Sequence, residues 1–218
     1  MEWWRRWKER TDMGRVRADL VERADKIKSA VLSHFPSANE LKMLQIGPAA
    51  NGEIHFLPGK RYAIDPLANY FKKNFSELMD PEVDFIEGMG EDLPYKDAFF
   101  DVIMIINVLD HCFDPDKVLK EMDRCLRKGG LLILTVNAYS SLAALIHQTF
   151  KFLDREHPHA LTVEYFKKHL IPGYEFVKES FRDVKAPDYD LIKRLSIMTA
   201  RSLKLIPLEY TFIAKKKQ

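Results

Sequence analysis

Two apolar runs joined by a helical segment and a Gly-Gly pair constrain this chain more than any other feature. Val102–Ile106 and Leu131–Leu134 are apolar at every position, as strands covered on both faces must be. Between them Asp116–Arg127 has helical patterning, and Gly129-Gly130 suits a turn leaving a helix, where positive φ is wanted. Parallel strands need such a crossover, because no tight turn can join them. A strand–helix–strand unit places ligands at the carboxyl ends of its strands. Asn107 ends the first strand, and Asn137 and Tyr139 follow the second.

The same alternation runs through the rest of the chain. Strands are expected near Lys42–Ile46, Arg61–Ile64, Val83–Ile86, Phe100–Ile106 and Leu131–Val136, with helices near Asn69–Leu78, Asp116–Arg127 and Ser140–Leu153. Thr162–Leu170 reads as a helix opened by Thr162. Glu175–Phe181 and Leu208–Ala214 read as two further strands, with Leu191–Ser202 helical between them. Before the first strand, residues 3–34 have helical character with a break at Gly14. Val16, Leu20, Ala24, Ile27, Val31 and Leu32 recur at helical spacing, and Pro36 follows. The fold class is α/β. Residues 1–38 form an N-terminal helical extension or lid, and residues 39–218 the main domain.

A chain of 218 residues with a net charge of +2 has no general electrostatic drive toward nucleic acid. Cys112 and Cys125 lack metal-ligand spacing and read as reduced thiols of a cytoplasmic protein. The most apolar run, Phe99–Leu109, contains Asp101 and Asn107 and falls short of the roughly 20 residues a membrane span needs. The first residues, with Trp3, Trp4, Arg5 and Arg6, have no apolar core of a secretory signal.

Three segments follow the carboxyl ends of the first three strands, where such a sheet places a ligand. Gln45-Ile-Gly-Pro-Ala-Ala-Asn-Gly52 leaves the first strand, and glycine there lets backbone turn tightly against a ligand. Asp65 ends the second strand in Tyr-Ala-Ile-Asp-Pro66, 20 residues after Gln45. A carboxylate so placed accepts both hydroxyls of a ribose, although an acid before proline is also an ordinary helix cap. Met89-Gly90-Glu91-Asp92-Leu93-Pro94 follows the third strand and by itself reads as a charged surface turn. Over roughly residues 40–215 these segments resemble the class I S-adenosylmethionine-dependent methyltransferases of the small-molecule, methyltransferase-11-like type.

The resemblance implies a doubly wound, mostly parallel seven-stranded sheet, Rossmann-like, with the last strand inserted antiparallel. It implies S-adenosyl-L-methionine as cofactor, held by Gln45, Gly47, Pro48, Ala49, Asp65, Pro66, Gly90, Glu91, Asp92 and Asn107. Within that set, Asp65 takes the ribose, Glu91 or Asp92 accepts from the adenine amino group, backbone at Gly90 pairs with a ring nitrogen, and Asn107 meets the methionine part. The loop departs from the family at Gln45, where an acid is usual, and at Ala49 and Asn51, where glycine is usual. A nicotinamide enzyme would need a better glycine pattern to seat a pyrophosphate.

Methyl transfer needs positioning and sometimes a base. His111, in Asn-Val-Leu-Asp-His, is the candidate base, with packing or helix capping as its other reading. Tyr139, His157 and His159 are candidate acceptor-binding residues; the two histidines read otherwise as plain surface, and no third ligand makes them a metal site. Trp3, Trp4 and Trp7 share a helical face beside Arg5, Arg6, Lys8 and Arg10, which suits a lid or core packing, with a membrane-surface helix as the other reading. Lys215–Lys217 reads as a solvated tail. The expected function is methyl transfer to a small-molecule acceptor. The rival is a catalytically degenerate binding or regulatory protein of the same fold, and a nicotinamide or nucleotide-sugar enzyme is more distant.

Overall fold

Asp12 starts the first described helix by accepting a hydrogen bond from the Arg15 N–H at 3.2 Å, a cap worth about 0.5–2 kcal/mol. The computed structural model describes Arg6 and residues 12–149, 158–170, 172–183 and 207–218. Trp3, Trp4, Trp7, His157 and the expected helix at Leu191–Ser202 lie outside the described residues. The chain divides into two compact units at Met89 and Gly90.

In the first unit, α1 spans Met13–Leu32. Leu20, Ala24 and Val31 are buried and Val16 and Ile27 half-buried, whereas Leu32 turns outward. β1 (Lys42–Ile46), β2 (Lys60–Asp65) and β3 (Asp84–Glu87) pair in parallel, β1 with β2 and β2 with β3. α2 (Ala68–Asn74) is shorter than expected, and a separate turn of 3-10 helix covers Ser76–Leu78. Phe71 and Phe75 anchor this segment through buried rings 6.0 Å apart. Arg61 braces the approach to β3 by pairing with Asp80 and Glu82, each at 2.8 Å.

In the second unit, β4 (Phe100–Ile106), α3 (Pro115–Cys125) and β5 (Leu126–Ala138) form the expected strand–helix–strand unit, with β4 and β5 parallel. Val102–Ile105 and Leu131–Leu134 are at most 2% exposed. Each such side chain contributes about 1.5–3 kcal/mol of burial. α4 (Ser141–Thr149) and α5 (Val163–Leu170) follow. β6 (Tyr174–Asp183) and β7 (Leu208–Lys216) complete the set, with β7 antiparallel to both β5 and β6. The sheet is seven-stranded, in the order β3-β2-β1-β4-β5-β7-β6. This is the expected doubly wound, mostly parallel fold with the last strand antiparallel.

The Gly-Gly pair differs from expectation. α3 ends at Cys125 and β5 begins at Leu126, so the glycines lie inside the strand. The ladder jumps from Phe100↔Leu126 to Val102↔Leu131, which makes Arg127–Gly130 a bulge. Gly129 takes φ +73°, and a Cβ on Gly130 would lie 2.8 Å from Arg127 O and 2.9 Å from Asp101 O. One glycine supplies the backbone conformation and the other the clearance.

Candidate functional site

The loop after β1 is built by two left-handed residues and one close approach. Gly47 takes φ +66° and donates its N–H to Ile64 O at 2.8 Å. Ala49 takes φ +52°, a conformation that costs a residue with a Cβ about 1–2 kcal/mol. That cost is offset by the Ala49 N–H, which donates to Asp65 Oδ2 at 3.1 Å. Of the two residues expected to replace glycines, only Ala49 has positive φ, and Asn51 does not. Gly52 is needed for space. A Cβ there would lie 2.3 Å from Pro48 Cβ and 2.9 Å from Gln45 Oε1.

Gln45 is buried, and both ends of its amide are used. Nε2 donates to Glu53 Oε2 and Oε1 accepts from the Ile54 N–H, each at 2.8 Å. Glu53 opens a 3-10 turn over Glu53–Phe56, is itself buried, and has Arg23 Nε of α1 3.1 Å from Oε1. Sequence reasoning missed Glu53, because nothing in an isolated acid eight residues from Gln45 signals a contact.

Asp65 closes the loop from the end of β2. Oδ1 accepts from the Leu67 N–H at 2.8 Å while Oδ2 accepts from Ala49. Burial holds this carboxyl above the usual carboxylate range, and the two N–H donors pull it back only in part. Each oxygen retains a second lone pair, so the group can take donors from a ligand diol. Pro66 fixes φ directly after it. Also in this unit, a cavity of about 230 Å³ is lined by Val16, Arg17 and Leu20 of α1 with Asn51, Phe56 and Leu78. The Arg17 guanidinium lies 5.2 Å from the Phe56 ring centroid.

In the second unit, the Gly90–Pro94 turn gives its two acids different work. Glu91 is buried, and its Oε1 accepts from the N–H groups of Phe113 (2.8 Å) and Asp114 (3.2 Å). Asp92 is exposed. Glu121 and Arg124 of α3 hold the continuation of the turn, a role the sequence did not reveal. Glu121 accepts from the Leu93 N–H at 2.9 Å, and Arg124 donates to Leu93 O at 2.9 Å and Tyr95 O at 2.7 Å. The guanidinium beside Glu121 holds that carboxyl below its usual range. An acid–base pair at i,i+3 is legible on a helix, but its loop partners are not.

Asn107 follows β4 with φ +53° and donates its N–H to Thr135 O at 2.8 Å. Its Oδ1 is buried without a donor among the described residues. The next turn, Leu109–His111, carries Asp110, which is 1% exposed and likewise has Oδ1 without a donor. Sequence reasoning passed over Asp110 for its neighbour His111, which is exposed. Native proteins satisfy nearly all buried acceptors, so two orphans within four residues mark a place where an external donor fits. Cys112 is not a nucleophile there, since burial pushes its thiol up to about 12.

Tyr139 bridges Thr162 in parallel, and its N–H donates to Leu161 O at 2.8 Å. Thr162 caps α5 by accepting from the Tyr165 N–H at 3.1 Å, as the sequence suggested. The Tyr139 ring lies 5.4 Å from that of His147, and His159 is half-buried. Among the described residues no group of three metal-ligating side chains converges, and no helix is long and apolar enough to cross a membrane.

Residues 48–134 match the model of a methyltransferase domain family. A mitochondrial 2-methoxy-6-polyprenyl-1,4-benzoquinol methylase of Dictyostelium discoideum is 34% identical over 111 residues, 49% of this chain and 35% of that protein. A thiol S-methyltransferase of Rattus norvegicus is 26% identical over 166 residues, 72% of this chain and 63% of that protein. The chain thus spans less than two thirds of these curated relatives. Among solved structures, a SAM-dependent methyltransferase of Thermotoga maritima superposes with a TM-score of 0.60 at 20% identity, covering 100% of this chain and 96% of its own.

Proposed function

We propose that this chain, which has the class I S-adenosylmethionine-dependent methyltransferase fold, binds S-adenosyl-L-methionine and transfers its methyl group to a small-molecule acceptor. The observation that carries the reading is Asp65. A buried carboxylate ends β2, is tied to the left-handed Ala49 of the preceding loop, and keeps lone pairs for a ribose diol.

When bound, S-adenosylmethionine supplies an electrophilic methyl on a sulfonium sulfur. The chain's own residues bind and orient. Backbone at Gly47, Pro48 and Ala49 lies against the ligand, with Gln45 fixing the loop from beneath. Asp65 and Pro66 form the ribose end. Asp92, or Glu91 through Oε2, accepts from the adenine amino group, since Glu91 Oε1 already takes the Phe113 and Asp114 amides. Gly90 offers backbone to the ring. Asn107 Oδ1, which lacks a donor among the described residues, accepts from the methionine ammonium. His111, exposed after β4, takes the acceptor's proton, and Tyr139, His157 and His159 border the acceptor. Residues 1–38 act as an extension or lid to the domain of residues 39–218. The two free cysteines, Cys112 and Cys125, support a cytoplasmic setting.

Calorimetry tests the cofactor. S-adenosylmethionine or S-adenosylhomocysteine should bind and NAD should not, and the reverse result overturns the reading. Transfer of a labelled methyl to a panel of quinols, thiols and amines, the first two chosen after the relatives' names, tests the enzyme against the binding-protein alternative. His111→Ala should slow turnover far more than it weakens cofactor binding. Equal effects would remove His111 as the base.

A further inference from the structure

The family's first strand ends in an acid, and here that position is Gln45. The negative charge has not been lost from the loop. It stands on Glu53, eight residues on, with Oε2 accepting from Gln45 Nε2 at 2.8 Å. We propose that Glu53 is a positioning residue for cofactor binding, acting through Gln45; this rests on reading Gln45–Gly52 as the cofactor loop.

A glutamine side chain has a donor end and an acceptor end of nearly the same shape, and its neighbours decide which way it faces. An ionised carboxylate only accepts. Glu53 therefore admits one orientation of Gln45, with Nε2 toward Glu53 and Oε1 toward the Ile54 N–H, 2.8 Å away. That bond fastens the exit of the loop to the end of β1. The fastening also carries the close approach of Gly52, where a Cβ would come within 2.9 Å of Gln45 Oε1. Gln45 and Glu53 are 2% and 3% exposed, so water cannot replace either partner. Arg23 Nε, 3.1 Å from Glu53 Oε1, balances the buried charge from α1.

This arrangement predicts a reciprocal rescue that packing alone would not give. Glu53→Gln removes the carboxylate, lets the Gln45 amide turn over, and frees the Ile54 N–H. Gln45→Glu alone sets two carboxylates against each other. The double exchange, Gln45→Glu with Glu53→Gln, puts an acid where it accepts from both the Ile54 N–H and the new amide.

The experiment is calorimetric binding of S-adenosylhomocysteine to the full chain and its variants, with thermal unfolding of each apo protein. Each single exchange should weaken binding about tenfold, the loss of one charge-assisted hydrogen bond. The double exchange should return to within about threefold of the parent, as coupled neighbours do. Arg23→Met, at a partly exposed side chain that leaves the buried pair intact, should weaken binding by a smaller factor and serves if Glu53→Gln does not fold. Unchanged affinity in a folded Glu53→Gln or Arg23→Met protein, or no recovery in the double exchange, overturns the proposal. If the parent itself binds no S-adenosylhomocysteine, the functional reading fails and this inference with it.

Discussion

Asp65→Asn is the most informative single change. It keeps size and shape, so it opens no cavity, yet it removes the charge and one acceptor. Asp65 now accepts from Leu67 at 2.8 Å and from Ala49 at 3.1 Å. An amide can accept from only one of them and turns its NH2 toward the other. The longer bond and the left-handed φ of +52° both mark Ala49 as the partner that loses. An N–H left without an acceptor costs about 1–3 kcal/mol. Against this, burial already disfavours the charge on Asp65, so a neutral side chain recovers part of the loss. The net fall in apo stability should be about 1–2 kcal/mol, read as a lower urea midpoint at unchanged slope. For the ligand the loss is larger. A hydrogen bond to a charged group is worth about 1.5–3 kcal/mol, so affinity for S-adenosylhomocysteine should drop roughly ten- to a hundredfold. Calorimetry and urea unfolding of the same preparation separate the two effects. Lower stability with unchanged affinity would place the ribose elsewhere. Unchanged stability would refute the loop clamp.

Two further expectations concern stability. Arg124→Met should lower unfolding free energy by about 2–3 kcal/mol, discounted for partial exposure, because Leu93 O and Tyr95 O lose a charged donor; an unchanged urea midpoint would refute the pinning of that turn. His55 is buried and held down to about 4, chiefly by desolvation of its charged form, with its Nδ1 accepting from the Asp80 N–H. Its contribution is full above the unfolded value near 6.5 and is lost as pH falls from there toward about 4, at roughly 1.4 kcal/mol per unit. Urea unfolding at several pH values in that window should show the decline for the parent protein and a flatter profile for His55→Gln.

The strands were largely legible because their signal is local. Lys42–Ile46 and Phe100–Ile106 have the bounds the sequence suggested, since apolar runs with polar ends leave little freedom. Asp65 and Asn107 were legible because a polar residue ending such a run must lie at the strand's carboxyl end. Thr162 was legible as a cap for the same local reason. The glycine pair is legible in the sequence, but its place in a bulge of β5 is not. A need for positive φ at Gly129 can be read from composition, but whether it serves a helix exit or a strand bulge depends on how far β5 pairs with β4.

Tertiary structure alone decided the polar assignments. Glu91 and Asp92 are adjacent acids with the same sequence credentials. Glu91 is engaged and Asp92 exposed only because the backbone of Phe113, 22 residues away, folds back onto one of them. Gln45 has Glu53 beside it only because the fold returns the chain to the end of β1. Apolar burial is non-directional and shows as a period along the chain. A buried hydrogen bond needs a specific partner at about 3 Å, and the chain distance to that partner is set by the fold.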